Sequence, residues 1–104
     1  MKAIRRNGGY SADTANNYID NNQPIYSLST EPEVQHKWQD NRPTDVVIGY
    51  RAWFSQEGQE PFEVKFDNQI KLPVYLSKVN FNNLEACEVR NKVYFKADSL
   101  KEVK

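Results

Sequence analysis

From Thr44 onward, hydrophobic and polar residues alternate with a period of two. Val46, Ile48, Tyr50, Ala52 and Phe54 share one phase, and Val47, Gly49, Arg51, Trp53 and Ser55 the other. A strand with a single core face requires this pattern. Glu57-Gly58-Gln59 turns the chain, and Phe62, Val64 and Phe66 resume the alternation against Glu63 and Lys65. Asp67-Asn68 reads as a further turn. Ile70, Leu72, Val74 and Leu76 then continue the pattern, although Pro73 confines them to an edge strand or a bulge. Leu84 to Val89 and Lys92 to Ala97, split by Arg90-Asn91, predict a hairpin. The expected core is Val46, Ile48, Tyr50, Phe54, Phe62, Val64, Phe66, Val93 and Phe95.

Before Thr44 the pattern is different. Residues 1–24 are polar and rich in turns: Asn7-Gly8-Gly9, Asn16-Asn17, Asn21-Asn22 and Pro24. Ala3, Ile4 and Tyr10 are among the few residues there able to pack. Ser11 is placed to cap a short helix with Ala15, Tyr18 and Ile19 on one side; the alternative is a mobile arm. Ile25 to Ser29 alternates as a short strand. Thr30-Glu31-Pro32-Glu33 has capping-box spacing and predicts a helix from Thr30, with Val34 and Trp38 on its packing face and Asn41 and Pro43 as its stop. The chain thus reads as an α+β, mainly β protein: a small curled antiparallel sheet or barrel of about five strands with one or two short helices. Residues 1–24 form an arm or short helix, and residues 25–104 a single β-rich domain.

The size, 104 residues, suits one domain. Fourteen Lys/Arg balance fourteen Asp/Glu, which argues against a polybasic nucleic-acid binder and equally against an acidic DNA mimic. Hydrophobic residues make up only 38 % of the chain, but aromatics reach 12 %, enough to carry a compact core. The single Cys87 excludes an internal disulfide and a multi-cysteine zinc site. With no long apolar run and no signal-peptide pattern, a soluble cytoplasmic protein without membrane contact is expected.

Catalytic chemistry is sparse. His36 is the sole histidine and sits one helical turn from Glu33 and Asp40, as in an ordinary surface pair. Nothing resembles a nucleophile elbow. Cys87 lies in an apolar strand, where a free thiol behaves as a small hydrophobe. The carboxylate pairs Glu31/Glu33, Glu57/Glu60 and Glu85/Glu88 fall on a helix start, a turn and a strand, with nothing to set them across a pocket. Gly8-Gly9 lacks the Lys-Ser/Thr of a phosphate loop. No enzyme activity, cofactor or metal is expected.

What the strands turn outward is more informative. If Tyr50 and Phe54 face the core, Arg51 and Trp53 face away, as do Lys65, Tyr94 and Lys96 in the other strands. Should these strands be neighbours, two aromatics and three cations share a surface. Bases stack on such aromatics while cations track phosphates, so single-stranded nucleic acid is one ligand class. A protein partner is another, because Trp, Tyr and Arg are typical hot-spot residues. The plainer alternative covers Trp53 and Tyr94 with the N-terminal segment or the Trp38 helix.

Tyr94-Phe95-Lys96-Ala97-Asp98-Ser99-Leu100, preceded by Gln59-Glu60-Pro61-Phe62-Glu63-Val64-Lys65-Phe66 and Ile70-Lys71-Leu72, resembles the YdcP/HelP-like family. These are small proteins carried by conjugative and other mobile elements of Gram-positive bacteria. The likeness spans residues 45–103, and its sharpest motif is the C-terminal heptapeptide. It implies a plasmid- or element-borne accessory, such as a helicase-processivity factor, with single-stranded DNA or a host helicase as partner. Ser99 stands where the family usually has a second Asp, and residues 1–44 lack the family's N-terminal Phe-Gly strand. A divergent N-terminal half on a family-like C-terminal half also suits a repurposed inhibitor, for example an anti-CRISPR protein that covers a Cas9-type nuclease.

Overall fold

Burial falls on every second residue of the central strands, and this sets the architecture. The computed structural model describes residues 9–103; the expectations for Ala3, Ile4 and the Asn7-Gly8 turn lie outside that range. Along the chain come α1 (Ala12–Asn16), β1 (Ile25–Ser27), β2 (Glu33–Gln39), β3 (Arg42–Gln56), β4 (Phe62–Phe66), β5 (Lys78–Asn82), β6 (Glu85–Val89), β7 (Lys92–Ala97) and β8 (Ser99–Glu102). The eight strands form one open sheet in the order β6-β7-β4-β3-β1-β5-β8, with β2 also paired to β3. The mainly β expectation holds, but the sheet has more strands than five and is not a closed barrel. Nor is it wholly antiparallel, because β4 and β7 run parallel, with Val64 opposite Phe95.

The core is aromatic. Ala52 and Phe54 of β3 share a face with Phe62, Val64 and Phe66 of β4, and Val79, Ala86, Phe95 and Ala97 complete the cluster. Phe54 lies at its centre, with ring centroids 4.8 Å from Phe81, 6.3 Å from Phe62 and 6.4 Å from Phe66. Val93 is half-buried at the edge of this cluster. Ser11 caps α1 as its sequence context predicts, its hydroxyl accepting from the Thr14 N–H at 3.1 Å. Ala15 and Ile19 enter the core, and Ser11 exchanges backbone hydrogen bonds with Ala86. The short helix Ala12–Asn16 and the turn that follows it to Ile19 are therefore docked on the sheet. Ser11→Ala is expected to lower stability by about 0.5–2 kcal/mol through loss of this cap, which a shift in the urea denaturation midpoint checks.

Four expectations are corrected. No helix begins at Thr30: Glu33–Gln39 is a strand paired antiparallel with β3. Asp40 and Asn41, at φ 53 and 62, make the two-residue turn of that hairpin. Two consecutive left-handed residues specify a type I′ turn, which Asp and Asn tolerate. Val34, His36 and Trp38 also fit a period of two, so cross-strand pairing overrode the capping box. His36 consequently lies opposite Val47, and the helical pair with Glu33 and Asp40 does not form. Second, Val46 and Ile48 are exposed and Tyr50 only half-buried. β4 pairs with β3 only along Tyr50 to Phe54, so the N-terminal half of β3 extends beyond the core. Third, Ile70 to Leu76 forms no strand; Leu76 has φ 69 in a turn, and the next strand is Lys78–Asn82, which is not an edge strand but lies between β1 and β8. Pro73 lacks the N–H that a ladder needs. Fourth, the carboxylates of Glu31 and Glu33 accompany a strand start, not a helix start.

One buried polar residue continues the inward phase of Ala52 and Phe54. Gln56 is 2 % exposed. Its Nε2 donates to the carbonyls of Asp20 (2.7 Å) and Gln23 (3.1 Å), while its Oε1 accepts from the Asp20 N–H (2.9 Å). A buried amide with its partners in place ties the 20–23 loop to β3.

Candidate binding groove on the outer sheet face

The residues that alternate away from the core meet on one face. Register places Arg51 opposite Lys65, and Lys65 opposite Lys96. Trp53 stands opposite Glu63 in the adjacent row, and Tyr94 opposite Cys87. A groove of about 430 Å³ runs across these strands, lined among others by Arg51, Trp53, Glu63, Lys65, Lys92 and Tyr94. Four of the five residues singled out from the sequence therefore line one groove. Lys96 lies beside it, with its Nζ 5.1 Å above the ring centroid of Tyr10, in cation–π range.

Trp53 and Tyr94 are 44 % and 46 % exposed, so the described residues leave about half of each side chain uncovered. Trp38 lies on a strand and not on a covering helix, and Tyr10 lines the groove with them. Burial pushes the Tyr10 phenol up to about 12, with the neighbouring Cys87 thiol adding to the effect. Cys87 itself is buried, as its apolar strand suggested.

Arg51 differs most from its expected role as a free cation. Its Nη2 donates to Glu33 Oε1 at 2.6 Å, and its Nε lies 3.4 Å from Glu63 Oε2, within ion-pair range but without a hydrogen bond. The hydrogen bond to Glu33 raises the guanidinium's proton affinity further. Burial pushes the Glu63 carboxyl above its ordinary range; Arg51 opposes that shift and Glu33 reinforces it. A three-residue ion network thus enters the groove through Arg51 and Glu63, and the groove's other cations are lysines. Lys65 is anchored at its stem: a Cβ added to Gly49 would sit 2.9 Å from Lys65 Cε, so glycine there makes room for this side chain.

Sequence reasoning missed Lys92, Glu63 and Gln35 as groove residues. Lys92 was legible, since it shares the phase of Tyr94 and Lys96. Gln35 was not, because its segment read as helix. A larger groove of about 620 Å³, between the 19–25 segment and β5/β8, is lined mostly by apolar and amide residues such as Phe81, Leu100, Asn80 and Asn82. Among the described residues no cluster of three His, Cys, Asp or Glu could hold a metal ion, and no helix is long and apolar enough to cross a membrane. Comparison of the chain with protein-family models, with curated proteins and with solved structures found no match.

Proposed function

We propose that the protein is a non-enzymatic, cytoplasmic accessory of a mobile genetic element, assisting replication or transfer by binding single-stranded DNA in the outer groove, alone or with a host helicase. The observation that carries this reading is the pair of exposed aromatics, Trp53 and Tyr94, on a groove that Lys65 and Lys92 also line. Successive bases stack on such rings while ammonium groups follow the phosphates. The likeness of residues 59–72 and 94–100 to the YdcP/HelP-like family supports the mobile-element setting. Net neutrality keeps the affinity modest. If Lys65, Lys92 and Lys96 each meet one phosphate, log K should fall with log salt at a slope of about −2. Titration of labelled single-stranded DNA over a salt series measures that slope, and absence of binding at low salt overturns the reading.

A second reading, an anti-CRISPR or other anti-defence inhibitor, has its own support. Glu33 and Glu63 occupy the groove's guanidinium, which suits a protein hot spot better than a phosphate track. Such an inhibitor forms a stoichiometric complex with a Cas9-type nuclease, with or without guide RNA, and ignores free DNA. Adding the purified nuclease to the same titrations separates the two.

A further inference from the structure

The β2–β3 hairpin carries more apolar surface than its place at the margin of the sheet explains. Val34, Trp38, Val46, Val47 and Ile48 are all exposed, Trp38 by 66 %. Beyond Tyr50 towards its N-terminus, β3 has β2 on one edge and no strand on the other among the described residues. An isolated two-stranded ribbon is marginal in water. Moreover, among the described residues β2 pairs only with β3, which leaves its far edge an open row of backbone donors and acceptors. The register shifts in this hairpin place the extra residues on β3: Gln35 and His36 face Gly49 and Val47, and His36 and Trp38 face Val47 and Pro43. The β2 edge therefore has none of the bulges that blunt many edge strands.

We infer that this edge docks a second copy of the chain, β2 against β2 in antiparallel register about a two-fold axis at Gln35. The side chains along this edge fit that register. Glu33 falls opposite Lys37 of the other copy and Lys37 opposite Glu33, giving two charge-complementary pairs; Lys37 has no ion pair among the described residues of its own chain. Trp38 falls opposite Pro32, so the most exposed tryptophan covers a proline ring. An isologous contact also needs a surface that complements itself. The ribbon's mixed charges, with Glu33, Asp40 and Asp45 against Lys37 and Arg42, supply that and give nucleic acid no cationic track.

Sedimentation velocity over a concentration series tests the inference. The wild-type chain is expected to pass from monomer to dimer. Lys37→Glu opposes two carboxylates at each pair and should abolish the dimer. Glu33→Lys alone should do the same, whereas an equimolar mixture of the two variants restores both pairs and should recover the dimer. Circular dichroism checks that each variant keeps its sheet. A wild-type chain that stays monomeric at every concentration overturns the proposal, and so does a dimer that Lys37→Glu leaves intact.

Discussion

Phe54→Ala is expected to unfold most of the protein. The ring is fully buried and meets Phe81, Phe62 and Phe66, so truncation removes contacts with β4 and β5 together. A buried Phe→Ala change costs about 3–5 kcal/mol, transfer and cavity terms combined, against about 5–15 kcal/mol for a typical domain. The shallow core, with one short helix packed on the sheet among the described residues, puts this chain towards the lower end of that range. Urea denaturation followed by circular dichroism should show the midpoint collapsing towards zero denaturant. Trp53→Ala, one residue earlier and on the opposite face, should leave the midpoint nearly unchanged. Equal damage from both substitutions would mean that the two faces of β3 are wrongly assigned.

The second large effect concerns binding. Trp53→Ala and Tyr94→Ala should each weaken single-stranded DNA by about 1–3 kcal/mol if bases stack on them, roughly a five- to 150-fold rise in Kd. Stacking tolerates any base, so the loss should be similar for oligonucleotides of different sequence. Lys65→Ala should instead flatten the salt dependence, because it removes one phosphate contact. Fluorescence anisotropy at fixed salt measures the first effect and a salt series the second. If the aromatic variants bind DNA as tightly as the wild type, the outer groove is not where DNA lies.

The outer face is largely legible in the amino-acid sequence. Arg51, Trp53, Lys65, Tyr94 and Lys96 all follow from the alternation in β3, β4 and β7, since a period of two sends odd and even residues to opposite sides. What alternation does not carry is what a side chain meets once it is there. Arg51 reads as a free cation as long as Glu33, a partner eighteen residues away in sequence, is assigned to a helix. Glu63 reads as an ordinary outward carboxylate, and its position beside Arg51 depends on the pairing of β3 with β4.

Local features of this protein follow from its residues without any tertiary information: the β6–β7 hairpin, the turn at Gly58, and the inward phase of Phe54, Phe62, Val64, Phe66 and Phe95. Each rests on residues close in the chain, where backbone propensity and side-chain period act without distant partners. The state of Glu33–Gln39, by contrast, is set by long-range pairing. Capping-box spacing and a period-two apolar pattern are both written there, and isolated local signals of this kind are each worth on the order of 1 kcal/mol. The ladder with β3, closed by the left-handed Asp40-Asn41 turn, tips that balance. The same ladder leaves Val46 and Ile48 outside the core, because a strand's period says which face a residue takes and its neighbours decide whether anything covers that face.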